Sequence, residues 1–218
     1  ANMTGLPDFC RLDRRKRAII DAARTLFAEQ GYERTTLGDI VERAGGSLAT
    51  IYKVFGSKDG LLEAVVFEKA ASGDVIIQHA FAQGGSPGEV LHRVAQGLRT
   101  HFLDPEVVAL VRIVIGRSVE DVDFARSFFD RTAKRDHASL KTLFEYWQDL
   151  GIPMTGTPDM LSDMFLDLFF SDVHADAISH GAGLDHSPER LRARIDFFIR
   201  GAGLETEQAR QACSPQTG

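Results

Sequence analysis

The sequence predicts an all-α protein of about nine helices, a three-helix unit at the N-terminus followed by a larger helical body. Three observations predict it. Apolar residues recur with the 3.6-residue period of a helix in almost every long segment, and no stretch alternates apolar and polar residues as a half-buried strand would. Glycine-containing breaks divide the region between Gly31 and Ser57 into short runs. Later segments open repeatedly on the same signature, a Ser, Thr or Asp directly before proline.

Each element follows from these features. In the run 14–30, Ile19, Ala22, Ala23, Leu26 and Phe27 stand at i, i+3, i+4, i+7 and i+8, one face of a helix. Gly31 closes the run as a left-handed cap. Thr36 with Asp39 makes a capping-box pattern, Asp replacing the usual Glu, and opens a short helix to about Ala44. Gly45-Gly46 breaks that helix, Ser47 caps another to about Val54, and Gly56-Ser57 breaks again before a long helix over 58–82. Ser86-Pro87, Asp104-Pro105, Thr157-Pro158 and Ser187-Pro188 each set a capping oxygen before a proline, whose missing N–H would have no partner in the first turn. They open helices over 87–102, 105–117, 158–181 and 188–202, and 122–150 reads as one further helix. Residues 83–85 and 151–153 are connectors, and the polar stretch 205–218 is expected to fray. The organisation is a domain over 1–57 and a second over 58–218, linked by the 58–82 helix.

Charge divides along the same boundary. The chain carries −6 overall, but residues 1–58 hold ten Lys and Arg against seven acids, and the remainder holds fifteen against twenty-four. A basic module on an acidic body fits a first unit that faces nucleic acid. Cys10 and Cys213 stand near opposite ends and form neither a disulfide framework nor a metal-ligand spacing, which suits a reducing cytoplasm. No apolar run reaches membrane-spanning length, and the N-terminus lacks the apolar core of a signal peptide. No nucleophile–base grouping or glycine-rich phosphate loop stands out. Asp176 and His180 are spaced to pair on one helix face, but His174 and His180 lie about 240° apart around a helix and do not converge on an ion. These features argue against an enzyme, a metal site, a cofactor and a membrane partner.

Two short helices separated by a glycine turn and set on a longer first helix make a helix-turn-helix. Gly45 supplies the freedom of the turn, and Ala44 is small where the next helix must cross. Ile51 and Phe55 can point inward, which leaves Ser47, Leu48, Ala49, Thr50 and Lys53 for a major groove. Residues 17–66 resemble the DNA-binding domain of the TetR family. The marks are Ala23, Phe27, Gly31-Tyr32, Thr35-Thr36, Ile40, Ala44-Gly45, Ser47, Thr50-Ile51-Tyr52, Phe55, Ser57-Lys58 and Leu61-Leu62. They cover under a quarter of the chain.

The resemblance implies a ligand-responsive transcriptional regulator, a repressor released from palindromic double-stranded operator DNA by a small, largely apolar molecule. Thr36, with Leu37 beside it, would meet a phosphate through the threonine hydroxyl and N–H. Thr50 would touch a base edge or phosphate, Tyr52 and Lys58 would reach phosphates, and Arg14-Arg15-Lys16-Arg17 would lie along the backbone or enter a minor groove. The plainer readings stay open: Thr36 as a cap, Tyr52 as packing, the arginine run as a solvated helix start. Two positions depart from the family pattern. Gly46 replaces the usual Val and loosens the turn, and Val54 replaces a phosphate-contacting His or Tyr.

For the body, the resemblance implies a homodimer joined through the last two helices, with Phe165, Phe169, Leu191, Ile195 and Phe198 at the interface. A single subunit's core would explain the same residues. It also implies an effector pocket lined by Phe102, Val111, Ile115, Phe124, Phe128, Phe144 and Trp147, residues that an ordinary core accounts for equally well. Arg112, His137, Asp172 and His174 are polar groups of this region that could orient a ligand, although exposure or structural pairing accounts for each of them more simply. The segment 110–131 loosely resembles efflux-linked repressors of the family. The alternative is a helical dimeric adaptor that keeps the fold and has lost specific DNA binding.

Overall fold

The structure, a computed structural model, describes residues 6–130 and 134–205, with the side chains of 6–11, 70–71 and 134–136 left out. Cys10's side chain, Cys213 and the tail 206–218 fall outside the described residues. The chain forms α1(Leu6–Gln30), α2(Leu37–Ala44), α3(Leu48–Phe55), α4(Lys58–Ala82), α5(Pro87–Phe102), α6(Pro105–Glu120), α7(Val122–Phe128), α8(Lys134–Asp149), α9(Pro158–Ser179) and α10(Pro188–Gly201). Among the described residues there is no strand.

The capping oxygens set the helix starts. Ser57 Oγ accepts from the Gly60 N–H at 3.0 Å, Thr157 Oγ1 from Met160 at 3.2 Å and Ser187 Oγ from Arg190 at 3.2 Å. Ser86 and Glu89 form a complete capping box. Proline occupies the first turn of α5, α6, α9 and α10.

Besides α6, which runs to Glu120 rather than 117, three boundaries differ by more than a residue from the sequence reading. First, α1 begins about two turns early, at Leu6, ahead of the charged stretch that precedes Ile19. Second, the 122–150 segment divides into α7 and α8 through a wider π turn at 129–130. No proline or glycine announces that change. The count among the described residues is therefore ten helices rather than nine. Third, α9 ends at Ser179, and His180 turns left-handed at φ 56° as its C-cap. His180 therefore does not pair with Asp176. His186 does, at 2.8 Å, holding the loop before α10 against α9.

Two apolar cores carry the packing. The first joins Ile19, Ala23 and Phe27 of α1 with Ile40, Ile51, Leu61, Leu62 and Val65, and takes Leu110, Val114 and Phe124 from α6 and α7. The second fills the body with Leu91, Leu98, Phe144, Trp147, Phe165, Phe169, Ile195 and Phe198 among others. Helix α6 thus belongs to both, and ion pairs fasten it at each end. Near its start Glu106 meets Arg24 of α1 at 3.3 Å and Lys69 of α4 at 2.8 Å. Near its end Arg117 meets Asp59 of α4 at 2.8 Å. The two fastenings lie about 16 Å apart along the helix axis.

In the body, Asp172 of α9 binds Arg190 at 2.9 Å and Arg194 at 2.7 Å, both on α10. Burial alone would raise the Asp172 carboxyl, but the two guanidinium groups outweigh it and hold it below its ordinary value of 3.8. A depressed carboxylate pKa gives stability that is complete above the ordinary value and is lost as pH falls through the folded value. Asp172→Asn should therefore melt lower than wild type near neutral pH, by about 1 kcal/mol for this part-exposed pair. The gap should close as pH falls below 3.8. Thermal melts followed by circular dichroism across that range check this, and a gap independent of pH would show that the ion pairs do not supply it.

Candidate nucleic-acid interface

Helices α2 and α3 are each eight residues long. Each is anchored by one fully buried isoleucine, Ile40 and Ile51. Thr35, also fully buried, ties the entry of α2 to the end of α1, its hydroxyl lying 2.8 Å from the Gly31 carbonyl and 3.2 Å from that of Leu26. With one face so committed, α3 turns the other outward. Ser47, Leu48, Ala49, Tyr52 and Lys53 are exposed, and Thr50 is half-buried. Leu48 at 46% and Tyr52 at 56% are unusually open for large side chains. Val54 is half-buried and brings no polar group to the surface.

The helix starts carry local bonds that bear on what they could hold. Thr36 Oγ1 accepts from the Asp39 N–H at 3.1 Å, while the Thr36 N–H donates to Asp39 Oδ2 at 2.8 Å. The Thr36 N–H is thus occupied, and the hydroxyl proton is the group left for a phosphate. This amends the expectation that both would donate. At α3, Ser47 Oγ accepts from the Thr50 N–H at 3.3 Å and lies 3.1 Å from Thr50 Oγ1. Leu37 is half-buried beside Thr36.

The turn explains Gly46. Gly45 has φ 73° and Gly46 φ 114°, a region that side chains rarely adopt. Glycine at 46 is thus a requirement of this turn as well as a lost packing contact. A Cβ there would stand 3.8 Å from Arg15 Cδ, which places Arg15 of α1 against the turn. Arg14, Arg15, Lys16 and Arg17 are all exposed. At Gly60 a Cβ would meet the Phe55 carbonyl at 2.0 Å, so glycine lets α4 begin hard against the end of α3. That junction fixes Lys58, whose Nζ lies 4.2 Å from the centre of the Tyr32 ring. Burial lowers the Lys58 pKa from its ordinary value.

The chain matches the family profile "Bacterial regulatory proteins, tetR family" over residues 19–65, and "AefR-like transcriptional repressor, C-terminal domain" over residues 89–200. The chain belongs to the TetR family. It is a helix-turn-helix transcriptional regulator, as the N-terminal motif implied. The transcriptional repressor Rv1474c of Mycobacterium tuberculosis is 27% identical over 184 residues, 84% of this chain and 90% of that protein. The regulator YvkB of Bacillus subtilis is 25% identical over 155 residues, 70% of this chain and 77% of its own. The repressor ComR of Escherichia coli is 45% identical over 49 residues, 22% of this chain and 23% of ComR. The fold is also that of a TetR-family protein from Mesorhizobium loti, with TM-score 0.74 and 24% identity over 87% of this chain and 97% of that one.

In this TetR-family chain, the residues expected around an effector divide between the two cores. Phe102, Phe144 and Trp147 are buried in the body core with Val111 against it, Phe124 and Phe128 belong to the N-terminal core, and Ile115 is half-buried. The nearby polar groups are engaged. Arg112 donates to the Ala177 carbonyl at 2.7 Å, and His174 stacks on Phe170 at 6.3 Å. His137 gathers with Asp159 and Asp163, but Lys141 already sits 3.3 Å from Asp159. A cleft lined by Phe102, Phe169, Asp172, His186 and Arg190 encloses about 20 Å³, room for a water or two.

The interface residues need correction. Phe165, Phe169, Ile195 and Phe198 are at most 7% exposed and lie in the subunit's own core, and Leu191 is packed against it. Their apolar spacing marks the inner face of α9 and α10. The large apolar residues that these helices expose are others: Met160 at 43%, Met164 at 51%, Ile178 at 70% and Phe197 at 74%. The grouping that sequence reasoning missed joins Tyr32, Asp59 and Arg117. Arg117 stands 58 residues from Asp59 in the chain, so no local pattern links them.

The turn yields a test. Gly46→Val restores the family's residue into a backbone that valine disfavours, and should destabilise by about 1–3 kcal/mol. Urea unfolding measures it, and a variant as stable as wild type would show that the turn relaxes to a negative φ.

Proposed function

We propose that this regulator is a homodimeric repressor that holds a palindromic operator and releases it when a small, largely apolar effector binds the body. One observation carries the DNA reading. A short helix, sealed to the core through Ile51, offers Leu48, Ala49, Tyr52 and Lys53 to solvent, with Arg15 set against its turn. Small residues at 47 and 49 let such a helix sit deep in a major groove, while Tyr52, Lys58 and the α1 arginines flank it for phosphates. Val54 removes one backbone contact, and Lys53 next to it offers another.

A second subunit follows from the outer face of α9 and α10. Phe165 and Phe198 touch with ring centres 5.2 Å apart inside the core. Their chain neighbours Met164 and Phe197 are exposed outside it, at 51% and 74%. Large exposed apolar side chains on these helices suit a twofold contact. Two copies would set recognition helices one DNA turn apart, the spacing of successive major grooves.

For the effector, Phe102, Phe144 and Trp147 are packed in the core and must separate to admit a ligand. Effector binding therefore selects a second conformation of the body. That difference in affinity between conformations is what releasing DNA requires. A swing from almost fully bound to almost fully released takes about 5.5 kcal/mol of it.

Two measurements check this function. In a gel-shift titration against the DNA upstream of its own gene, the protein should be retained in the presence of random competitor. Lys58→Ala should weaken binding to all sequences alike and reduce the log–log salt slope by about 1. Retention lost to competitor, with no operator recovered by genome-wide selection, would favour the adaptor. In sedimentation, Phe197→Glu should convert a dimer to a monomer, and an unchanged dimer would place the interface elsewhere.

A further inference from the structure

The pair between Arg117 and Asp59 lies where the body meets the DNA-binding unit. Arg117 Nη2 donates to Asp59 Oδ2 at 2.8 Å and Nε to Oδ1 at 3.2 Å, a two-pronged grip that fits a carboxylate. The Tyr32 hydroxyl donates to the same carboxylate. Tyr32's ring is shared: Lys58 Nζ lies 4.2 Å from its centre and the Arg117 guanidinium 5.6 Å. Arg117 also stands 3.4 Å from Glu120 and 3.5 Å from Asp121. Asp59 follows directly on Lys58, the cation at the first turn of α4.

An unmasked carboxylate at this point would work against DNA in two ways. It would repel the phosphate that Lys58 approaches, and it would draw the lysine ammonium to itself. We propose that Arg117 is a positioning residue for DNA binding: by neutralising Asp59 it leaves the Lys58 ammonium, propped on Tyr32, free to meet a phosphate. The proposal rests on the DNA-binding reading of Lys58. Arg117 is carried by α6, so a shift of α6 that breaks the grip exposes Asp59 and weakens DNA binding without any movement of α3. The body thereby acts on DNA through charge as well as through geometry.

The test uses the full chain and a fluorescent random-sequence duplex, with anisotropy read over a range of salt and a melting curve for every variant. Wild type comes first. If it fails to bind duplex DNA, the DNA-binding reading itself falls. Arg117→Gln should bind about tenfold more weakly, with a shallower salt slope. Asp59→Asn should bind at least as well as wild type. Arg117→Gln combined with Asp59→Asn should return to within about twofold of Asp59→Asn alone, because the carboxylate directly beside Lys58 is then uncharged. Arg117→Lys, which keeps a cation, should lose much less than Arg117→Gln, and it carries the comparison with the double variant should Arg117→Gln fail to fold. Wild-type binding by Arg117→Gln, or a double variant as weak as Arg117→Gln, overturns the proposal, since a purely structural role gives no rescue.

Discussion

An eight-residue helix does not hold itself together in water, and the proposed recognition helix α3 is one. Everything at the proposed interface depends on how α2 and α3 are anchored. Ile40 and Ile51 are fully buried in a core shared with Phe27, Leu61 and Leu62. Ser57 and Gly60 set α4 against the end of α3 so closely that a side chain at 60 could not fit. The outward face can stay open to solvent, Leu48 and Tyr52 included, because the inward face secures the helix. The same logic explains Thr35, a buried polar side chain whose hydroxyl is satisfied by the carbonyls at the end of α1.

Features that depend on neighbours in the chain were legible in the sequence. The Thr36–Asp39 box, the proline-headed starts and the glycine breaks each act within a few residues, and the helices begin where those signals stand. The bounds of α2 to α5 fall within a residue of those read from the sequence. Where the chain changes state without a local marker, the reading failed. The π turn after Phe128 contains no proline or glycine. Gly46 was visible as a departure, but its reason, a backbone at φ 114°, belongs to the turn as folded.

Direction was the harder quantity. Helix α9 carries Met164-Phe165-Leu166 and Leu168-Phe169-Phe170, apolar on nearly every side, so the sequence does not say which residues face inward. The structure resolves it by partner. Phe165 meets Phe198, and Asp172 takes the two arginines of α10, which turns Met164 outward. A proposed twofold contact then rests on the neighbours of the residues that the spacing singled out. The candidate pocket residues divide for a similar reason, since α6 and α7 serve the N-terminal core and the body at once.

That double membership of α6 ties the body to the reading head. An apolar contact tolerates small slides at modest cost, whereas a paired carboxylate loses its partner over a displacement of one hydrogen bond. Glu106 and Arg117 place such charge contacts at both ends of α6, with Leu110 and Val114 as apolar contact between them. The two ends differ in consequence. Glu106 binds cations of α1 and α4 away from the recognition helix, so its loss loosens the joint. Arg117 shields a carboxylate next to Lys58, so its loss alters the charge that DNA meets. A motion of α6 too small to change the tilt of α4 can still be felt at the DNA surface, and the acidic body gains an influence on a basic module that apolar packing alone would not give it.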